Sequence, residues 1–133
     1  MMNNFYKFDD NEKLVEKLAL EITSILEESI SRKGFATLLI SGGNTPKNLF
    51  NKLSNTDIFW EKVKIGLCDE RWIDTKLEDS NEFLVKSYLL KGFAKKAKFI
   101  SMYIPKIDLK EAEEKCSEIY KNGLYPFDVI ILG

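Results

Sequence analysis

A chain of 133 residues is the size of one ordinary domain and can bury about two-thirds of the surface its unfolded form exposes. Apolar residues make up 44% and charged residues 31%, with only three prolines and seven glycines, which excludes a disordered, fibrous or linker-rich polypeptide. Twenty basic residues against twenty-one acidic ones give a net charge of −1, so there is no global field to hold a polyanion such as DNA.

After a short apolar start at residues 5–8, the stretch 11–32 places Leu14, Leu18, Ile22, then Ile25 or Leu26, then Ser29 or Ile30 on one stripe, with Glu and Lys opposite. This predicts an amphipathic helix. Asp9 or Asp10 caps its first turn, and Gly34 takes the left-handed conformation that stops it. Residues 35–40 form an apolar run too short for a buried helix, which predicts a strand covered on both faces. Thr45-Pro46 supplies a capping hydroxyl and then the residue favoured at a first helical position, so a helix is predicted over 46–53.

Residues 63–68 read as the next strand, followed by the charged loop Asp69-Glu70-Arg71-Trp72. A helix restarts near Ser80-Asn81, with Phe83, Leu84, Ser87, Tyr88 and Leu89 on or near its inner side. Residues 98–104 are a third strand candidate. Residues 108–122 read as a helix with Asp108 as cap, Glu111 behind it and Gly123 as stop, and residues 127–132 form a final apolar strand. Helices falling between strands predict β-α-β units, hence an α/β domain over 1–133 whose mostly parallel sheet carries helices on both faces. Ligands of such sheets bind at the carboxyl ends of the strands, so the loops after Ile40, Cys68 and Leu132 are where chemistry is expected.

Three constellations bear on function. In Ser41-Gly42-Gly43-Asn44-Thr45-Pro46, two glycines permit close backbone approach while the following helix start aims N–H groups and a positive dipole end at the loop. A phosphate fits such a cradle, although a tight turn needing glycine for geometry alone has the same pattern. No Gly-Lys-Ser/Thr and no Gly-x-Gly-x-x-Gly follows, so a nucleotide is not implied. In Asp69-Glu70-Arg71-Trp72, a carboxylate at an apolar strand end suits general-base work and a guanidinium suits phosphate; the alternative is a self-neutralising Glu70–Arg71 pair with Trp72 covering the core. In Asp79-Ser80-Asn81, either Ser80 or Asn81 is a natural helix cap, and Lys86 follows five residues after Asn81.

Histidine is absent, so chemistry in this chain must use carboxylates, lysine or arginine. Cys68 and Cys116 are too few and too far apart for a disulfide framework or zinc knuckle, which predicts reduced structural thiols. The longest apolar runs fall far short of the ~20 residues that span a bilayer, and the Met-Met-Asn-Asn start lacks the charged and apolar regions of a signal peptide. No membrane or nucleic-acid partner is therefore expected, and the expected location is cytoplasmic.

Ser41-Gly42-Gly43-Asn44-Thr45-Pro46 with Leu49-Phe50, then Trp60, Asp69-Glu70-Arg71-Trp72, Ser80-Asn81, Leu89-Leu90 and finally residues 126–133 together resemble the 6-phosphogluconolactonase family. That resemblance covers essentially the whole chain. It implies a Rossmann-like α/β fold shared with the glucosamine-6-phosphate deaminases, and hydrolysis of 6-phospho-D-glucono-1,5-lactone to 6-phosphogluconate, in the pentose phosphate pathway, without metal or organic cofactor. The deaminases look like Asp-Glu-Tyr where this chain has Asp69-Glu70-Arg71, so Arg71 favours the lactonase. By resemblance, Gly42, Gly43, Asn44 and Thr45 surround a small-molecule sugar phosphate, with Asn44 where the family usually has serine. Arg71 pairs with the phosphate or a hydroxyl, Asp69 lies beside the sugar, and Lys86 stands where the family often has arginine.

In the family the last strand leads into a Gly-Met-Gly-x-Asp-Gly-His type segment whose histidine is the expected base. This sequence stops at Gly133, where that segment would begin, which predicts the front portion of a longer protein, or else a shortened relative with impaired catalysis. Asp69 is then the best base candidate within the chain. The alternatives kept open are an amino-sugar-phosphate isomerase or deaminase, and a non-catalytic sugar-phosphate-binding module.

Overall fold

The computed structural model describes residues 11–43 and 46–132. The expected cap at Asp9 or Asp10 therefore lies outside the described residues, as do Asn44 and Thr45. Helix α1 (Asn11–Lys33) leads to strand β1 (Ala36–Ile40), helix α2 (Lys47–Ser54), strand β2 (Val63–Leu67), helix α3 (Asn81–Tyr88), the short strand β3 (Lys98–Phe99), helix α4 (Leu109–Gly123) and strand β4 (Val129–Ile131), with 3₁₀ turns before β2 and before β3. All strand pairs are parallel and the order is β3-β2-β1-β4, so the chain reverses its direction across the sheet at β1. The predicted α/β class, parallel sheet and helix–strand alternation are all present.

Strand alternation assigns the two faces. Leu38, Ile40, Ile65 and Leu67 pack with Ile22 and Leu26 of α1, Leu49, Phe50 and Leu53 of α2, and Val85 of α3 into the larger core. Each fully buried leucine or isoleucine there contributes roughly 1.5–3 kcal/mol of transfer free energy. The opposite face is thinner: Leu39 meets Tyr120 and Leu124 of α4, with Cys68 and Cys116 at its margin. A methyl group on Gly66 would sit 2.5 Å from Leu124 Cδ1, so the missing side chain is what admits α4 to the sheet.

On α1, Leu26 and Ser29 take the inner positions while Ile25 is 43% exposed. Gly34 ends the helix at φ +87°. Pro46 is the residue before α2 and not its first helical residue. Asp108 caps α4 as expected, accepting from the Glu111 N–H, whereas Gly123 is the last helical residue and the chain turns out of the helix at Leu124.

Three expectations are corrected. The third strand covers residues 98–99 only. Ile100 N–H still bonds to Ile65 O, but beyond that point the Tyr120 hydroxyl stands between the segments, accepting from Leu67 N–H at 2.8 Å and donating to Ile100 O at 3.3 Å. A side chain from α4 replaces the ladder on that side, while β2 stays paired with β1 as far as Leu67. The last strand is also shorter than 127–132, and as an edge of the described sheet it leaves Ile130 51% exposed. Finally, Leu84, Tyr88 and Leu89 pack on the core as expected, but Ser87 is exposed and α3 buries Asn81, Glu82 and Val85, its polar first turn being enclosed by hydrogen-bond partners from other segments.

Candidate functional site

The carboxyl ends of β1 and β2 lie side by side: Cys68 N–H bonds to Ile40 O and Ser41 N–H to Ile131 O, both at 2.9 Å. The chain leaving β1 therefore starts within the sheet before turning into the glycine pair. Gly42 passes so close to α3 that a methyl group there would lie 2.0 Å from Asn81 Oδ1. Gly43 adopts φ +103° with open space where a side chain would stand, so conformation and not packing calls for glycine. The two glycines thus have different physical reasons.

Asn81 joins the two loops. Its Nδ2 donates to both the backbone oxygen and Oδ1 of Asp69, each at 3.0 Å, while its amide Oδ1 faces Gly42. Asp69 is exposed and keeps Oδ2 without a partner among the described residues. Glu70 is committed to the fold. Its carboxylate accepts from the N–H groups of Arg71, Asn81 and Glu82 and from the Ser80 hydroxyl, at 2.7–3.1 Å, placing a negative charge at the start of α3 where the helix dipole favours one. Ser80 in turn accepts from Phe83 N–H. The alternative reading, a self-neutralising Glu70–Arg71 side-chain pair, is thus replaced by a cap, and the exposed Arg71 guanidinium has no hydrogen-bond or ion-pair partner among the described residues.

Trp72 follows at φ +51°, a conformation uncommon for a bulky residue, with its ring edge-on to Tyr103 at 5.1 Å. Burial pushes the Cys68 thiol up, with the Asp69 charge adding to the effect, and burial does the same to Cys116. Both sulfurs are poor thiolates, in keeping with a structural role.

A cleft of about 220 Å³ opens between the loops, lined by Gly43, Lys47, Arg71, Glu78, Asp79, Ser80, Asn81 and Leu84. A larger one of about 470 Å³ lies between the start of α1 and α2, with Asn48, Asn51 and Asn55 among its walls. Only the smaller one gathers groups from both loops at the strand ends, where an open parallel sheet binds ligands, and it is taken as the site.

Gly43 and Arg71 line this cleft, Gly42 and Asp69 stand behind it against Asn81, and Asn44 and Thr45 lie outside the described residues. Lys86 is not among the lining residues: its ammonium bonds to Glu82 at 2.7 Å, and the buried Glu82 also accepts from the Ser101 hydroxyl. Sequence reasoning missed Lys47 and Glu78, and although it singled out Asp79-Ser80-Asn81 it gave Asp79 no role and read Ser80 and Asn81 only as caps. A readable signal existed for Lys47, since a cation in a first helical turn opposes the helix dipole.

The family described as Glucosamine-6-phosphate isomerases/6-phosphogluconolactonase matches residues 9–133. A 6-phosphogluconolactonase of Pseudomonas aeruginosa is 37% identical over 116 residues, which cover 87% of this chain and 49% of the relative. One of Rhizobium meliloti is 35% identical over 133 residues, 100% of this chain and 57% of the relative. The crystal structure of a 6-phosphogluconolactonase from Shewanella baltica OS155 superposes with a TM-score of 0.90 at 39% identity, covering 95% of this chain and 54% of that one. The chain spans about half the length of the relatives it matches. With nearly every residue matched, the chain belongs to the glucosamine-6-phosphate isomerase/6-phosphogluconolactonase family.

Proposed function

We propose that this chain forms the phosphate-gripping portion of a 6-phosphogluconolactonase, acting in hydrolysis of 6-phospho-D-glucono-1,5-lactone to 6-phosphogluconate in the pentose phosphate pathway. The observation that carries the reading is the junction at Asn81, which packs against Gly42 and holds Asp69, so that the glycine loop and the charged loop face one cleft with a guanidinium on its wall that is unpaired among the described residues. In this reading the backbone of Gly42 and Gly43, with Asn44 and Thr45, surrounds the sugar phosphate at the start of α2, and Arg71 anchors the dianion. Asp69 takes a proton from water through its free Oδ2 as that water attacks the lactone carbonyl. Loop donors stabilise the oxyanion, and collapse of the tetrahedral intermediate breaks the ring ester bond as the departing ring oxygen takes the proton that Asp69 had accepted. Lys86 enters only through Glu82, as part of the frame around the first turn of α3.

A second reading, phosphosugar binding without turnover, is favoured by the absence of histidine from the chain. One titration and one assay separate the two. The chain binds 6-phosphogluconate, and Arg71→Ala weakens that binding by roughly 1.5–3 kcal/mol, the range for a hydrogen bond to a charged group; unchanged affinity in this variant removes Arg71 from the site. Lactone hydrolysis above the buffer rate, lowered in Asp69→Asn, supports the enzyme, whereas binding without hydrolysis supports the second reading.

A further inference from the structure

We infer that Lys47 is a second phosphate anchor of this cleft and that Glu78 and Asp79 orient the ligand against it, an assignment that rests on the sugar-phosphate reading above. Lys47 is the first residue of α2, where the helix dipole disfavours a cation, and no acidic residue accompanies it in that turn. Among the described residues its ammonium has no carboxylate partner. It rests 4.9 Å from the centre of the Tyr88 ring, and the Lys91 ammonium lies 5.9 Å from the same centre. Two like charges thus share one ring.

A dianion in the cleft reverses each of these penalties. It lies at the start of α2 and between Lys47 and Arg71, which line the same cleft with Gly43. A charge-assisted bond to phosphate is stronger than a cation–π contact at a half-exposed ring, so Lys47 gives up Tyr88 for the ligand. Glu78 and Asp79 also line the cleft. Carboxylates repel phosphate and accept hydrogen bonds from hydroxyls, so the polyol end of the ligand lies towards them and the phosphate towards the cations. The phosphate is thus met by cations and the neutral hydroxyls by hydrogen-bond acceptors.

The test uses the 133-residue chain, titrated with 6-phosphogluconate and separately with gluconate, each variant being checked for an unchanged unfolding midpoint. Lys47→Met weakens 6-phosphogluconate binding about tenfold or more and leaves gluconate binding unchanged, while Lys47→Arg restores most of the phosphosugar affinity. Raising salt weakens the unsubstituted chain more steeply than Lys47→Met. If Arg71→Ala weakens binding and Lys47→Met does not, the role of Lys47 is overturned while the sugar-phosphate reading survives. Equal losses for both ligands in Lys47→Met overturn it as well, since they mark a residue that shapes the cleft without touching phosphate. An unsubstituted chain that binds neither ligand ends both proposals.

Discussion

The two ends of the same parallel strands treat charge in opposite ways. At the amino ends, Asp128 just before β4 accepts from the Lys33 ammonium at 2.7 Å and from the Thr37 N–H at 2.8 Å, and its own N–H returns a bond to Thr37 O. The side chains of Asp128 and Lys33 are only 7% and 23% exposed. At the carboxyl ends, Arg71 and Lys47 face a cleft without any carboxylate bonded to them among the described residues, although Glu70, one position from Arg71, is fully engaged by α3. Closed charge at one end joins α1, β1 and β4; open charge at the other is left for something outside the fold. The difference separates charges that hold the sheet from charges to which the described fold gives no ion-pair partner, as the proposed site requires.

The largest effect should come from opening the closed end. Asp128→Ala leaves the partly buried Lys33 ammonium and the N–H of the buried Thr37 without their partner, and should cost about 3 kcal/mol in chemical denaturation. Burial alone would push the Asp128 carboxyl up, but the Lys33 ammonium, the Thr37 N–H and the Ser29 hydroxyl outweigh it and hold the group below the ordinary carboxylate range. A carboxyl held lower in the folded state stabilises it above the ordinary value of about 4, and that contribution disappears as pH falls through the folded-state value. The gap between the unsubstituted chain and Asp128→Asn should therefore close below about pH 4 and be largest near neutrality. A gap that stays constant with pH would mean that Asp128 acts by packing and not by charge.

A smaller loss is expected from the boundary between the two regimes. Glu70→Ala removes the acceptor for three N–H groups and the Ser80 hydroxyl at the start of α3, a loss of about 2 kcal/mol by analogy with charged caps. The same change loosens Asn81 and, through it, Asp69, so affinity for 6-phosphogluconate should fall together with stability. Stability lost with affinity intact would detach the frame around α3 from the site.

The helices and the first two strands were legible because their signals are local: the apolar stripe of α1, the five-residue run of β1, and the capping oxygens of Ser80 and Asp108 all act within a turn or two. The Glu82–Lys86 pair, four residues apart on one helix, is an equally local signal that the assignment of Lys86 to the substrate by resemblance passed over. What failed was non-local. The length of β3 is set by a Tyr120 hydroxyl that arrives from 53 residues beyond Leu67, and no pattern within residues 98–104 reports it. Glu70 looked like a partner for its neighbour Arg71 because sequence shows adjacency, whereas the turn into Trp72 directs the carboxylate to a helix eleven residues on. At the site, the glycine pair was readable as a place needing close approach or special backbone angles, which the structure divides between Gly42 and Gly43, but the entry of Lys47 into the cleft needed the relative placement of α2 and the charged loop.

The smallest expected change in stability is the most discriminating. Arg71→Ala and Lys47→Met should each alter unfolding free energy by no more than about 0.5 kcal/mol, since the unbound protein uses neither cation in an ion pair among the described residues. Their effect should emerge only with ligand present. An anion at 100 times its dissociation constant stabilises the folded chain by about 2.7 kcal/mol, and this increment should shrink in either variant at the same concentration. Should Arg71→Ala instead cost as much as Asp128→Ala without ligand, the guanidinium would be a structural group like Lys33, and the contrast between the two ends of the sheet would no longer mark a binding site.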